Sequence, residues 1–176
     1  MLGDFYLEDI RRQFHGQKKL AEKAMAQVSD EQFFAALDSE SNSIGLIVKH
    51  LAGNLRSRWT DFYASDGEKP DRHRDTEFEA AQEDTRASLL ERWEAGWGVL
   101  FEVVDSMKPE DLSRTVTIRD EPHSVVKALN RQLAHYAYHV GQIVFLAKHF
   151  AAGRWQSLSI PRGQSETFNA EKRGAK

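Results

Sequence analysis

His135-Tyr136-Ala137-Tyr138-His139-Val140-Gly141-Gln142-Ile143 is the stretch on which the fold turns. It lies inside 124–150, where Val126, Leu129, Leu133, Tyr136, Val140, Ile143, Ala147 and Phe150 recur in steps of three and four. That spacing predicts a helix with one core-facing seam. His135 and His139, four residues apart, project from one face a single turn from each other, so both imidazoles can reach one ion. At roughly 100° per residue they fall outside the seam. They share a second stripe with Ala128, Gln132, Gln142 and Leu146, which carries no formal charge. An exposed stripe would carry Lys and Glu, so this one is expected to be a second buried or half-buried face. An i, i+4 histidine pair also arises where imidazoles merely hydrogen-bond, and a metal site needs a third ligand from elsewhere.

Working outward, three further amphipathic patterns precede this helix. Over 4–28, Leu7, Ile10, Phe14, Ala21, Ala24 and Val28 repeat at helical spacing, and His15 sits among charged residues as a solvated group. Ser29-Asp30-Glu31-Gln32 reads as a capping box opening a short turn through Leu37. Over 43–63, Ile44, Val48, Leu51, Leu55 and Phe62 form an apolar arc, with His50, Asn54 and Asp61 on a neighbouring stripe and Arg58 at its border. Taken alone, His50 reads as a hydrogen-bonded core histidine. The stretch 65–75 is a polar, turn-rich loop whose Lys69, Arg72 and Arg74 could hold an anionic substrate. A third helix is expected over 77–107, with Leu90, Trp93, Trp97, Leu100, Val104 and Met107 as a packing seam. Thr115-Val116-Thr117-Ile118 followed by Arg119-Asp120-Glu121-Pro122 predicts a short hairpin, and Ser124 caps the histidine helix. After Gly153 no helical period is legible. Trp155, Leu158, Ile160 and Phe168 predict an extended strap laid back over the helices, bringing Gln164 and Ser165 toward a site.

The 176 residues suit one domain, expected over 1–169, with 170–176 a disordered tail. The net charge is −3 with signs interspersed, and no basic-aromatic interleaving points to nucleic acid. No apolar run approaches the ~20 residues of a membrane span. The N-terminus lacks a signal-peptide pattern, so a cytoplasmic location is expected. The chain has no cysteine, which removes disulfides, thiolate ligands and a cysteine nucleophile; any thiol must arrive on a substrate.

Four long amphipathic segments predict an all-α four-helix bundle, whose sites are built from side chains on facing helices. His50 could then converge with His135 and His139, and three imidazoles leave an open position, as in catalytic sites. Neutral imidazoles suit zinc, nickel or ferrous iron. At this point the residues resemble the DinB/YfiT-like superfamily. The likeness lies in His50-Leu51 of the second helix and His135-x-x-x-His139-x-Gly141-Gln142-Ile143 of the fourth. It extends to His50-Leu51-Ala52-Gly53-Asn54-Leu55-x-x-Arg58-Trp59-x-Asp61-Phe62, to Asp66-Gly67-Glu68-Lys69-Pro70 and to Ile160-Pro161-x-Gly163-Gln164-Ser165-x-x-Phe168-Asn169, stretches similar to a branch without assigned activity.

The resemblance implies a divalent metal, zinc or nickel before iron, on His50, His135 and His139, often in a homodimer. Its characterised members include thiol transferases and isomerases that use a low-molecular-weight thiol. Carried over by position, Asn54, Asp61 and Gln142 stand behind the ligands, with Asp61 as orienter or base, while Arg58, Gln164 and Ser165 face a small-molecule substrate. Two functions are therefore expected in competition. One is a metal-dependent enzyme, a thiol S-transferase on small electrophiles or a hydrolase. The other is a non-catalytic dimeric metal-binding or stress-response module. The stripe Ala134, Tyr138, Gly141 and Phe145, small or aromatic, gives a dimer a face to use.

Overall fold

The computed structural model describes residues 2–174, which are mostly helical with one small two-stranded sheet. Helix α1 (Leu2–Met25) buries Leu7, Ile10, Phe14, Ala21 and Ala24, the face its period marks. Ser29 then opens α2 (Asp30–Phe34): its hydroxyl accepts from the Gln32 amide, and the Gln32 side chain accepts from the Ser29 amide. The turn ends at Phe34, short of the Leu37 expected. Helix α3 (Ile44–Trp59) starts where the Ser43 hydroxyl accepts from the Leu46 amide. Helix α4 (Arg86–Ser106) and helix α5 (Val125–Ala151) complete the long elements.

These four long helices share one core. Phe14, Trp59, Trp93, Trp97 and Tyr136 are fully enclosed there. Each such ring is worth about 3 kcal/mol of hydrophobic burial. Side-chain pairs give the helix directions. Tyr6 reaches Asn130 and Gln27 reaches Gln156, so α1 and α5 run parallel. Lys18 meets Glu94 while Arg11 meets Val104, so α1 and α4 are antiparallel. His50 meets His135 while Asn54 meets Gln132, so α3 and α5 are antiparallel. It follows that α3 and α4 run parallel, and the chain between them must travel back the full length of a helix.

Residues 60–85 make that return, and here the expected third helix is corrected. It begins at Arg86 rather than Glu77, because Thr85 and Ser88 form a reciprocal cap that stops it. Just before, the Asp84 carboxylate is held by Lys49 at 2.7 Å and Arg92 at 3.2 Å, and it accepts from the Ala81 amide at 3.1 Å. Glu77 instead lies in a 3₁₀ turn, Arg74–Phe78, in the middle of the crossover.

The hairpin is present as β1 (Thr115–Ile118) and β2 (Glu121–Ser124), antiparallel, with Val116 opposite His123. Its turn is the two residues Arg119 and Asp120, at φ 55° and 60°. Ser124 caps α5 as expected, accepting from the Lys127 amide.

The tail departs from the strap. Trp155 and Leu158 pack against the core, but everything from Ser159 to Gly174 is exposed. Ser165–Gly174 forms a helix, α6, that buries nothing. Local terms support it: Glu166 in the first turn, Lys172 and Arg173 in the last, and the Lys172 ammonium over the Phe168 ring. Residues 170–174, expected to be disordered, belong to this helix; 175 and 176 lie outside the described residues. No described helix is long and apolar enough to cross a membrane.

Candidate metal centre

His50 on α3 and His135 with His139 on α5 come together from two antiparallel helices. Each offers one ring nitrogen, and these three atoms all lie within 4.8 Å of one another. The ring centroids are 4.7 to 5.3 Å apart. His50 is buried and the other two half-buried.

The second nitrogens explain the orientation. His50 Nδ1 lies 2.8 Å from Glu77 Oε2. Burial pushes the Glu77 carboxyl up, but the hydrogen bonds from His50 and Arg72 outweigh that and hold it below the usual range. An ionised Glu77 only accepts, so His50 Nδ1–H donates, and in the neutral ring Nε2 is then the lone-pair nitrogen. His139 Nδ1 lies 2.8 Å from Gln142 Oε1, while the Gln142 amide nitrogen donates to Tyr138 at 3.4 Å, which sets the amide's orientation. His139 Nε2 is thereby also left as an acceptor.

His50 Nε2 and His135 Nε2 face each other at 3.2 Å. Either a hydrogen bond from His135 Nε2–H or a cation between the two nitrogens accounts for that separation. A tetrahedral zinc with ~2.1 Å bonds sets its nitrogens about 3.4 Å apart, close to that spacing. The donor set therefore fits: the three histidines could hold a metal ion. Burial, then the fields of His139, His50, Arg72 and Arg58, push the His135 imidazole down to about 3. Burial likewise lowers His139, with His50 and Arg74 adding to it against the Gln142 hydrogen bond. Both are thus neutral near pH 7, the form that binds metals.

Glu77 is what the sequence reading missed. Its Oε1 and Oε2 each accept from Arg72 at 2.8 Å, from Nε and Nη2, so Arg72–Glu77–His50 is a continuous buried chain. Gly53 on α3 makes room for it: an added Cβ would overlap Glu77 Oε1 and lie 2.8 Å from its Cδ. Phe78 packs on the His50 ring, centroids 4.7 Å apart. No local pattern marks Glu77, which stands 27 residues from His50 in an aperiodic loop.

Asp61 is corrected. It sits beyond the end of α3 at φ 49°, exposed, where its backbone carbonyl accepts from Ala64 and Ser65. The carboxylate beside the His50 imidazole is Glu77. Asn54 is buried on α3 one turn from His50. Its Oδ1 accepts from Gln132 at 2.8 Å and from the Tyr136 hydroxyl at 3.2 Å, and that hydroxyl accepts from Trp59 Nε1 at 2.9 Å. Gln164 and Ser165 are exposed and do not line the cavity described next.

A cavity of about 460 Å³ opens on the three histidines. Asn54, Gln132 and Gln142 line it, as do Phe78 and Tyr138. Arg72 and Arg74 reach it from the crossover, as the loop reading anticipated, whereas Lys69 Nζ instead bonds the Asp66 carbonyl. Arg58, Arg119 and Arg131 complete the wall.

The fold and site define a class: a helical protein with three imidazoles converging at the floor of an arginine-rich cavity. Within that class the chain belongs to the family described as "Protein of unknown function (DUF1572)", whose model matches residues 1–164. The match stops one residue before α6 begins. No curated protein matches the chain.

Proposed function

We propose that this protein is a divalent-metal-binding, DinB/YfiT-like four-helix bundle that acts as a metal-dependent enzyme on small electrophiles, with thiol S-transfer as its reaction. One observation carries the reading. Three imidazole nitrogens converge while hydrogen bonds occupy the outer nitrogens of His50 and His139. Partners on the outer nitrogens are how proteins orient metal-ligating histidines. His50, His135 and His139 would hold a divalent cation, zinc or nickel before iron, which when bound would supply a lowered pKa for a thiol or water and hence a nucleophile at neutral pH.

The chain's own residues do the rest. Glu77 keeps the His50 proton on Nδ1, and its negative charge makes Nε2 a stronger donor of its lone pair. Gln142 does the same for His139 without a charge. Phe78 and Tyr138 line the cavity that leads to the imidazoles, and the Phe78 ring packs on His50. The absence of cysteine is consistent with a thiol that enters as co-substrate.

Untagged protein should contain about one zinc or nickel per chain, and His135→Ala should contain almost none. Wild-type metal content no higher than the variant's would overturn metal binding. Metal-loaded enzyme is then given low-molecular-weight thiols with a chloro-nitroaromatic or epoxide acceptor. Turnover equal to that of His135→Ala across all thiols would remove transfer.

A specific observation favours a second reading, the non-catalytic dimer. Tyr138 and Phe145 are 64% and 63% exposed on α5, beside exposed Ala134 and Gly141. A symmetric copy covering that stripe would bury it. A monomer by light scattering at micromolar concentration would remove the dimer.

A further inference from the structure

The cavity wall is unusual in its charge. Five guanidiniums line it, from Arg58, Arg72, Arg74, Arg119 and Arg131, and neither a lysine nor a carboxylate does. The chain as a whole is acidic, at −3. Arginine in place of lysine is the choice for planar, bidentate recognition of carboxylate and phosphate.

Neighbouring acids do not balance this wall. Glu68 is shared among Arg58 at 3.6 Å, Arg72 at 3.2 Å and Arg119 at 3.2 Å. Glu77 is committed to Arg72 and His50, and Asp75 lies 3.8 Å from Arg74. Arg131 has no ion pair among the described residues. Glu68, Glu77 and Asp75 pair with four of the five guanidiniums and Asp66 adds its field at Arg58, so the wall keeps a positive excess centred on Arg131.

Arg58 gives the sharpest sign. It is 97% buried, with 3% of its surface exposed, yet its Nε and Nη1 meet no hydrogen-bond acceptor. A buried guanidinium without acceptors on these atoms keeps its charge uncompensated, and the same side chain lines the cavity, where an anion can offset that charge. The fold does not place it there loosely. Gly67 packs against Nη1, the Gly67 amide donates to Thr117, and the Ser57 hydroxyl donates to the Gly67 carbonyl. Arg119 is held just as firmly. Both residues of its turn carry positive φ, and the Asp66 carboxylate accepts from the Arg119 and Asp120 amides at 2.9 and 2.8 Å.

We propose that Arg58, Arg119 and Arg131 form an anion subsite that takes a dianionic small molecule, a dicarboxylate or a phosphomonoester, and sets it beside the three histidines. The subsite stands on its own geometry; that its occupant is the substrate rests on the metal-centre reading above. Three guanidiniums converging on one wall favour a doubly charged anion, and 460 Å³ suits a small metabolite rather than a polymer.

The test is calorimetric titration of the full chain, metal-free, at constant ionic strength, with inorganic phosphate, succinate and neutral succinamide. Phosphate or succinate should bind and succinamide should not; which of the two binds more tightly identifies the acid group. Arg119 and Arg131 are exposed, so Arg119→Gln and Arg131→Gln should fold, and each should weaken the anion about tenfold, one charge-assisted contact's worth. Arg58→Lys keeps the charge but loses the planar fork and should also bind more weakly. His135→Ala should lose metal yet keep anion affinity within about twofold, because the arginines and not the cation hold it. Neither anion binding to wild type would overturn the proposal. So would unchanged affinity in the Arg119→Gln/Arg131→Gln double variant, or anion binding seen only with zinc and lost in His135→Ala. Anion binding by a wild-type protein that takes up no metal would sink the metal centre and leave the subsite standing.

Discussion

Replacing Gly53 by alanine should do the opposite of what helix propensity dictates. In a solvated helix interior, Gly→Ala gains about 0.5–1 kcal/mol, because alanine has less backbone freedom to lose. On α3 the new methyl would overlap Glu77 Oε1 and lie 2.8 Å from Glu77 Cδ. Glu77 is 7% exposed and cannot step into solvent without leaving His50 and Arg72. Overpacking costs typically 1–3 kcal/mol, and breaking a buried ion pair costs 3–5 kcal/mol when one partner is removed outright, less when it is only displaced. Set against the propensity gain, the net loss should be about 2–4 kcal/mol. The same displacement frees the His50 ring, and losing such a partner lowers metal affinity about 10–100-fold. Urea denaturation of metal-free protein reads the first quantity, and chelator competition for zinc the second. Gly98→Ala is the control: Gly98 lies within α4 with nothing within 4 Å of an added Cβ, so it should gain the ordinary increment and leave zinc affinity alone. A Gly53→Ala protein as stable as wild type, with unchanged zinc affinity, would refute the claim that this glycine exists to seat Glu77.

Glu77→Gln keeps the shape and removes the charge, so zinc affinity should fall about 10–100-fold while the fold survives; an unchanged affinity would reduce Glu77 to packing. Tyr136→Phe should leave zinc affinity unchanged but cost about 1–3 kcal/mol, because Trp59 Nε1 then donates to nothing inside the core and Asn54 Oδ1 loses one of its two donors. In acid, His123 should fail before the carboxylates. Its two ring nitrogens are enclosed without partners, and burial, then Lys127 and Arg131, hold its pKa below 6.5 against the pull of Glu121. The unfolded chain therefore binds the proton more readily, so this contribution is intact above 6.5 and is lost as pH falls through that value. His123→Gln should remove up to one proton from the stability slope between pH 7 and 5, at most about 1.4 kcal/mol per pH unit. Glu77 and Asp84, both held below their ordinary values against the upward push of burial, give a second loss at lower pH; their stability is present above the unfolded pKa and disappears below it. A slope that His123→Gln leaves unchanged would assign the first phase to other groups.

Most of the helical framework was legible because each relevant signal is local. Apolar spacing marked the buried faces of α1, α3 and α5, and Ser29, Ser43 and Ser124 each sit at a helix start where a hydroxyl satisfies a free amide. Two turns of one helix bring His135 and His139 together without help from the rest of the chain. The errors share a cause as well. Asp61 was assigned to the His50 stripe by continuing α3 past Trp59, but a helical projection holds only while the helix does. A third helix reaching back to Glu77 fails because the reciprocal Thr85–Ser88 cap starts α4 at Arg86. The tail's apolar residues were read as a strap, yet from Ser159 onward they remain exposed.

By itself, then, the sequence determined where helices begin, which faces they bury, and that one of them carries paired imidazoles on an uncharged stripe. Each of these follows from neighbours a few residues apart. Only the tertiary structure decided that the parallel course of α3 and α4 forces a long return segment, and that this segment lays Glu77 and Arg72 against His50. It alone gathers arginines from two helices, a loop and a hairpin tip around one cavity. Long-range packing sets those distances, and no period along the chain encodes them.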